Sequence, residues 1–349
     1  MGTTTFPGRD WEVAEPGTGV DIAALRAAVD GLVGRPVDQG RTSALCVVHR
    51  GRIVAEWCAP DTDPTTTHIS WSMAKSVTHA LVGMAVGDGL LDPDSADLLP
   101  QWRGDGRAGI ALRHLLTMTS GLSWVEDYVD DTASDVITML FGDSDHVGDH
   151  AAFAAAKPLV DVPGSTWVYS SGTTNIIARI LADALGEPKG SHAVVESFMR
   201  SRLFGPIGMS TATPKFDAAG TFVGSSYVYS SARDFARFGW LYLNDGCWNG
   251  ERLLPPGWVD DARTQIAFDP EMGHGYGSHW WTCPQDPGAF MAHGYEGQIT
   301  WVSPSRGVVA VHMGRTPAEH AGALRDRVWR VVSAFRADAP VIGHDGGHG

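Results

Sequence analysis

A serine and a lysine three positions apart, Ser72 and Lys75, are the pair of side chains in this sequence best placed to do chemistry. On a helix, residues at this spacing lie on one face, one turn apart. A serine hydroxyl needs a neighbour that takes its proton before it attacks a carbonyl carbon. Burial disfavours an ammonium ion and lowers the pKa of a lysine, so a buried Lys75 would accept that proton. The spacing therefore predicts a serine nucleophile with a lysine as its general base.

The sequence around the pair favours this interpretation. Only four of the 26 basic residues are lysines, and Lys75 is the one lysine that follows a serine by three positions. Arginine stays protonated in proteins and would not serve as a base. An alternative is a serine that caps a helix, followed by a solvated lysine. Against it, apolar residues recur at helical spacing after Lys75, which predicts a buried helix that ends near residue 87.

A second polar cluster lies in residues 163–172, where a Pro-Gly turn leads through Tyr169 and Ser171 toward a predicted helix. A tyrosine beside a lysine ammonium can have a lowered pKa and act as a proton shuttle. The plainer alternative is a tyrosine whose hydroxyl caps a loop. The cluster becomes a candidate for catalysis only in combination with Ser72 and Lys75.

A third cluster, at residues 292–298, contains His293, Gly294 and Tyr295 beside a predicted strand. A glycine at a sheet edge lets a substrate approach the backbone closely. The N–H of the next residue, Tyr295, can then point at an oxyanion. Taken alone, the cluster is simply a glycine-rich entry to a strand.

Elements from distant parts of the chain must hold these clusters together. Strand patterns occur at both ends, as a hairpin over 44–57 and strands over 277–282, 289–292, 298–302 and 307–313. Between the two ends the chain favours helices and long loops. This order predicts an α+β fold, an antiparallel sheet built from both chain ends and flanked by helices, with an inserted helical domain. The expected boundaries are 20–75 with 263–338 for the sheet domain, 76–262 for the helical domain, and loose termini at 1–19 and 339–349.

Composition narrows the class of function. A net charge of −14 without a run of basic residues argues against binding to nucleic acid. No stretch of about 18 apolar residues occurs, so no membrane span is expected. The N-terminus lacks the basic start and apolar segment of a signal peptide, and the four cysteines are scattered. Together these features predict a cytoplasmic protein with reduced thiols.

Two further patterns are not interpreted as sites. Residues 104–109 fit Gly-x-Gly-x-x-Gly but do not follow a predicted strand, as a dinucleotide site requires. The second pattern consists of Asp143, Asp145, His146, Asp149 and His150. It lacks a recognised metal-ligand spacing and is interpreted as an acidic, solvated loop. No cofactor and no metal ion are therefore expected.

The three clusters together resemble the penicillin-recognising serine hydrolases, which comprise class C β-lactamases, DD-peptidases and related esterases. Ser72-Met73-Ala74-Lys75 matches the Ser-x-x-Lys motif of that family. Tyr169-Ser170-Ser171 is similar to the Tyr-x-Asn or Tyr-x-Ser motif of its class C-like branch. Ala292-His293-Gly294 stands where Lys-Thr-Gly is usual, and only the glycine matches. The resemblance covers about residues 40–335, and residues 124–128 are similar to the 6-aminohexanoate-dimer hydrolases and related esterases.

The resemblance implies a role for each of three side chains. Ser72 would be the nucleophile that becomes acylated, and Lys75 would be its base. Tyr169 would protonate the leaving group and later activate the water that releases the acyl group.

The resemblance also implies the groups that bind substrate. The N–H groups of Ser72 and Tyr295 would form the oxyanion hole beside Gly294, and Ser171 would contact the lysine and the substrate. His293 would orient substrate or Tyr169, unless it is a strand histidine whose nitrogens are satisfied by the backbone.

The missing lysine of the third motif bears on the substrate. In β-lactamases that cation helps to recognise the substrate carboxylate. Its absence favours a small-molecule ester or linear amide, and hence a carboxylesterase or an amidase that acts on 6-aminohexanoate oligomers. β-Lactamase or DD-peptidase activity is the alternative, as is a non-catalytic, penicillin-binding-like sensor. Neither nucleic acid nor membrane is an expected partner, and a homodimer is left open.

Overall fold

The helices of the protein surround a large sheet on both faces. A computed structural model describes residues 5–128, 134–142 and 148–337. The helices are α1 (Ile22–Val33), α2 (Met73–Gly87), α3 (Leu112–Leu116), α4 (Asp135–Phe141), α5 (His150–Ala155), α6 (Ser171–Ala184), α7 (Ala193–Phe198), α8 (Gly205–Ile207), α9 (Ala232–Leu243), α10 (Trp258–Arg263) and α11 (Ala321–Ser333).

The strands fall into one large sheet and two small ones. They are β1 (Arg41–His49), β2 (Arg52–Cys58), β3 (His68–Ile69), β4 (Thr213–Pro214), β5 (Val228–Ser230), β6 (Cys247–Trp248), β7 (Glu251–Arg252), β8 (Ala267–Asp269), β9 (His274–Tyr276), β10 (Trp281–Thr282), β11 (Phe290–Gly294), β12 (Gln298–Ser303) and β13 (Val308–Arg315).

The large sheet joins the two ends of the chain. Its order is β2-β1-β13-β12-β11-β10-β9-β8, and each neighbouring pair is antiparallel. The long pairing of β1 with β13 brings Arg41 opposite Arg315 and His49 opposite Val308. The predicted α+β fold, with an antiparallel sheet built from both chain ends, is confirmed.

Alternation along β1 explains why the sheet is covered on both faces. Cys46 and Val48 point into a core that they share with α2 and α9. Leu45 and Val47 point the other way, into a core formed with α1 and α11. Successive side chains of a strand face opposite sides, so a strand that is apolar at every position needs a helix layer on each face.

The structure differs from the predicted strands in two places. Of the strand expected over 277–282, only Trp281–Thr282 form one, because β9 ends at Tyr276 and a turn closed by Gly277 N–H and the Trp280 carbonyl precedes β10. In that turn His279 has a φ of 57°, which breaks the strand. The region expected to hold only helices and loops also contains the short strands β4 to β7. Such two- and three-residue strands are too short to leave a periodic signal.

The N-terminal arm, expected to be loose over 1–19, packs against the body from residue 5 onward. Trp11 is buried, and its indole N–H donates to the Arg233 carbonyl at 3.1 Å. Arg237 donates to the carbonyls of Gly8 and Arg9. The buried Trp11 side chain anchors this polar segment. The glycine- and proline-rich composition of residues 1–19 gave no indication of that contact.

Some expectations concern residues outside the described part of the chain, and the expected domain boundaries are not tested by the fold. The loose terminus at 339–349 and the acidic positions 143–147 lie outside the described residues. The division into a sheet domain and a helical domain stays a prediction. Within the described ranges, no helix is both long and apolar enough to cross a membrane.

Candidate active site

Ser72 stands at the start of α2, held there by an unusual backbone turn. The preceding residue, Trp71, has a φ of 44°, in the left-handed region that disfavours a bulky side chain. Ser72 occupies the N-cap position, but its hydroxyl makes no capping hydrogen bond. The hydroxyl is therefore available for another partner, and the interpretation of Ser72 as an ordinary capping serine is wrong.

Lys75 lies one helical turn further on and is buried, with 1% of its surface exposed. Its Nζ is 3.0 Å from Ser72 Oγ, 2.9 Å from Ser171 Oγ and 3.2 Å from the Ser225 carbonyl oxygen. Burial lowers the pKa of Lys75 to about 8, and the nearby carboxylate of Glu126 opposes that shift. The alternative of a solvated lysine is excluded, and an appreciable fraction of this lysine is neutral near neutral pH.

Tyr169 contacts Lys75 through its ring, and not through its hydroxyl as expected. Lys75 Nζ is 4.7 Å from the centroid of the tyrosine ring, so it contacts the ring face and makes no hydrogen bond to the hydroxyl. Burial and then the Glu126 carboxylate raise the pKa of Tyr169, while the nearby Ser72 hydroxyl partly offsets the rise. The lowered pKa expected for this tyrosine is therefore wrong. The resting side chain is a protonated phenol.

The end of β11 comes very close to the start of α2. A Cβ atom built on Gly294 would lie 2.3 Å from the Ser70 carbonyl oxygen and 3.1 Å from the Ser72 nitrogen. Only glycine allows this approach, which brings the backbone before Tyr295 against the backbone of Ser72. The two N–H groups suggested as oxyanion donors thus belong to neighbouring segments.

This close approach leads to a prediction for Gly294→Ala. The added methyl group must push β11 away from α2, so we expect kcat/KM for ester hydrolysis to fall by at least about tenfold. The melting temperature should fall as well, because backbone atoms have to move. The control is Gly109→Ala, since nothing lies within 4 Å of a Cβ at that position. Unchanged kinetics in the Gly294 variant would contradict a need for the contact.

His293, on β11, lines a cavity that Ser72 also lines. Burial, followed by the charge of Arg325, lowers the pKa of His293 to about 3, so the ring is neutral. Its Nε2 atom is buried and has no hydrogen-bond partner. That nitrogen has no backbone partner, and a role of His293 toward the substrate stays a prediction. Ala292, at the position of the usual lysine, is buried in the core shared with α2.

A cavity of about 270 Å³ opens onto Ser72. It is lined by Ser72, Glu126, Tyr128, Tyr169, Asp269, Met272, Trp281, His293 and Tyr295. Aromatic rings form much of its wall, and Tyr128 stacks on Tyr295 with ring centroids 5.0 Å apart. Among the described residues, the lining contains two carboxylates and neither lysine nor arginine. Ser171 is not in the lining, since it is fully buried behind the lysine.

Sequence reasoning assigned no role to Glu126, which is central to the site. Its Oε2 accepts from the Trp124 indole N–H at 2.6 Å and the Ser171 N–H at 2.8 Å. Its Oε1 accepts from Ser171 Oγ at 2.5 Å and from the Tyr128 hydroxyl at 3.1 Å. Two signals pointed to this segment: the resemblance of residues 124–128 to the 6-aminohexanoate-dimer hydrolases, and the alternation of Trp124, Glu126 and Tyr128, which would share one side of an extended segment.

The protein chemistry of the site needs only side chains and backbone N–H groups. Among the described residues, no group of three or more histidine, cysteine or acidic side chains is arranged to hold a metal ion. Ser72 Oγ lies 3.0 Å from Lys75 Nζ, an amine with a lowered pKa, and the phenol ring of Tyr169 lies beside that amine.

Comparisons with known proteins agree with this picture. The model of the Beta-lactamase family matches residues 25–333. The chain is 26% identical to the 6-aminohexanoate-dimer hydrolase of Paenarthrobacter ureafaciens over 321 residues, which cover 87% of this chain and 79% of that protein.

Two solved structures share the fold. One is a Bacillus anthracis protein with the provisional name 6-aminohexanoate-dimer hydrolase, with a TM-score of 0.75, 22% identity, and coverage of 92% of this chain and 86% of that one. The other is EstCE1, a hydrolase with promiscuous acyltransferase activity, with a TM-score of 0.66, 16% identity, and coverage of 89% and 98%. Because the family match spans both the large sheet and the helix that begins at Ser72, the chain belongs to the beta-lactamase family and is a serine hydrolase of that type.

Proposed function

We propose that this protein hydrolyses esters or linear amides through an acyl-enzyme on Ser72. One observation carries the proposal: Lys75 Nζ is buried, has a pKa lowered to about 8 and lies 3.0 Å from Ser72 Oγ. A lysine in that state takes a proton from serine, and the resulting alkoxide attacks a carbonyl carbon. The new bond joins Ser72 Oγ to that carbon.

The remaining steps use the groups around the pair. The N–H groups of Ser72 and Tyr295 stabilise the negative charge on the carbonyl oxygen. Tyr169 gives its hydroxyl proton to the leaving alcohol or amine as the ester or amide bond breaks. The proton held by Lys75 restores the phenol once the hydroxyl comes within hydrogen-bond reach of Nζ, which contacts the ring face in the resting site. In the second half, water attacks the acyl group while its proton passes through Tyr169 to the neutral lysine. The adduct then collapses: the bond between Ser72 Oγ and the acyl carbon breaks, Lys75 returns its proton to Ser72 Oγ, and the acid product leaves.

Tyr169 fits the role of proton donor better than that of a resting base. Its raised pKa keeps the proton on the phenol throughout the neutral range. Its ring lies against the Lys75 ammonium, which stabilises negative charge that develops on the phenol oxygen in the transition state.

The substrate class follows from the cavity walls. The aromatic lining suits an apolar acyl or leaving group, and neither lysine nor arginine is present to pair with a substrate carboxylate. We therefore favour a carboxylesterase, or an amidase that acts on 6-aminohexanoate oligomers; the Paenarthrobacter relative is named a 6-aminohexanoate-dimer hydrolase. Gly294, Tyr295 and His293 are the proposed binding groups, with His293 acting as a neutral hydrogen-bonding ring. Ser171, expected to contact both the lysine and the substrate, is fully buried and contacts the lysine. A homodimer stays a prediction that the molar mass in solution tests.

A substrate panel tests the proposal. We expect kcat/KM for short-chain p-nitrophenyl esters to exceed that for nitrocefin by at least about tenfold, which corresponds to about 1.4 kcal/mol of differential transition-state stabilisation. A bicyclic lactam relies on a cation to hold its carboxylate, whereas an ester with a good leaving group needs less positioning. The panel should include D-Ala-D-Ala peptides and the aminohexanoate dimer.

Two outcomes of that panel contradict the proposal. If nitrocefin or a D-Ala-D-Ala peptide is turned over faster than the esters, a β-lactamase or DD-peptidase is the better description. If Ser72 is labelled by an acyl probe but no compound of the panel is hydrolysed, the protein is a penicillin-binding-like sensor.

A further inference from the structure

Lys75 Nζ makes three close polar contacts, and their chemistry limits how its hydrogens are arranged. A neutral lysine amine has two N–H donors and one lone pair. The Ser225 carbonyl oxygen, 3.2 Å away, is only an acceptor and therefore takes one N–H. The lone pair must face Ser72 if this lysine is to accept the serine proton. The third contact, Ser171 Oγ at 2.9 Å, then has to accept the second N–H.

A serine hydroxyl both donates and accepts, so something must prevent Ser171 from donating to the lysine. Glu126 does this, because its Oε1 accepts the hydroxyl proton of Ser171 at 2.5 Å. Its other oxygen accepts the backbone N–H of Ser171 at 2.8 Å, which fixes the carboxylate against the first residue of α6. A carboxylate also fits the positive N-terminal end of a helix.

We propose that Glu126 is a positioning residue that acts through Ser171 to direct the Lys75 lone pair at the Ser72 hydroxyl. Glu126 holds the Ser171 proton, Ser171 accepts from Lys75, and the lysine keeps its lone pair for Ser72. This inference rests on the proposed roles of Ser72 and Lys75 and adds a residue that those roles do not require.

The same carboxylate affects the pH at which the lysine becomes a base. Its charge raises the pKa of Lys75 against the larger, opposite effect of burial. Among the described residues, two further titratable groups next to the lysine are Tyr169, whose pKa is raised, and His279, whose pKa burial lowers to about 3. Both are neutral near pH 8, so Glu126 supplies the negative charge that the lysine senses.

Glu126→Gln tests the arrangement with almost no change of shape. Trp124 Nε1–H and Ser171 N–H can only donate, so the oxygen of the new amide must take the Oε2 position. The NH₂ group then faces Ser171 Oγ and donates to it. This frees the Ser171 hydroxyl proton to compete with Ser72 for the lysine lone pair.

The measurement is the rate of Ser72 acylation by a p-nitrophenyl ester against pH, normalised to the fraction of protein labelled by a phosphonate probe. For Glu126→Gln we expect the plateau rate to fall by at least about tenfold, because the lysine is misdirected. We expect the midpoint of the acid limb to move to lower pH, because the charge that raises the lysine pKa is gone. A role of Glu126 in packing alone would lower the fraction of protein that folds and is labelled, and would leave the plateau rate per labelled site unchanged.

Ser171→Ala and the double variant separate the two effects. If Glu126 acts through Ser171, Glu126→Gln should lower the plateau little further in the Ser171→Ala background, while the shift of the midpoint persists. A matched control is Glu187→Gln, since the Glu187 carboxylate is also buried and accepts a backbone N–H, from Val195 at 2.7 Å. The control should keep the wild-type pH profile.

The failures are distinguishable. If wild-type protein labels at Ser72 and Glu126→Gln keeps both plateau and midpoint, the role of Glu126 is wrong and the serine mechanism stands. A full additional loss of plateau rate in the Ser171→Ala background would also overturn the role, because Glu126 would then not act through Ser171. If wild-type protein is not labelled at Ser72, the proposed function fails, and this inference fails with it.

Discussion

Ser72→Ala is expected to abolish covalent labelling by phosphonate and acyl probes and to lower kcat for ester hydrolysis by at least about 10⁴-fold. The alanine variant has no oxygen atom that can form the acyl bond, so the lysine has no nucleophile to activate and no acyl-enzyme forms. Mass spectrometry of the intact protein measures the label, and steady-state kinetics measures the rate.

The variant should still fold. The Ser72 hydroxyl is half-buried and makes no capping hydrogen bond, so its loss leaves the start of α2 supported by the apolar core. Ser76→Ala is the matched control, because Ser76 is buried one turn further along α2 and donates to the His279 carbonyl at 2.8 Å. That control loses one buried hydrogen bond, worth about 1 kcal/mol, and should still label. If Ser72→Ala is still labelled and still hydrolyses esters, Ser72 is not the nucleophile.

Lys75→Arg is expected to be nearly as damaging as Lys75→Ala, with kcat/KM at least about 10³-fold below that of the wild type. Arginine keeps the positive charge but stays protonated, so it cannot take the serine proton. Its larger planar head must also fit among the Ser72, Ser171 and Ser225 oxygens that contact the lysine. Near-normal activity in the arginine variant would exclude Lys75 as the general base.

The pH profile gives a second measurement of the same residue. With the pKa of Lys75 lowered to about 8, the neutral amine is the minor form below pH 8 and the major form above it. The wild-type kcat/KM should therefore rise with pH by about tenfold per unit below the midpoint and level off above pH 8. This acid limb should be missing in Lys75→Ala. A wild-type rate that is flat between pH 6 and pH 9 would contradict the lysine as base.

The sequence by itself determined the elements whose signal is local. The three-residue spacing of Ser72 and Lys75 sets them on one helical face wherever that helix lies, and Nζ and Oγ are 3.0 Å apart in the structure. Continuous apolar runs such as β1 reveal strands buried on both faces, so the antiparallel sheet from both chain ends was predictable. The sequence also suggested Gly294, because a glycine beside a strand permits close approach to the backbone. In the structure two backbones meet there and leave no room for a Cβ atom.

The tertiary structure alone decided what surrounds the lysine. Its partners Ser171 and Ser225 are 96 and 150 positions away in the sequence, and Glu126 reaches the site 45 positions before Ser171. A pKa depends on burial and on nearby charges, and neither is a local property of a motif. For that reason the sequence suggested a lowered pKa for Tyr169, whereas burial and the Glu126 carboxylate raise it. Residue spacing was enough to predict the reactive side chains, but their pKa values depend on burial and charges that only the folded structure shows.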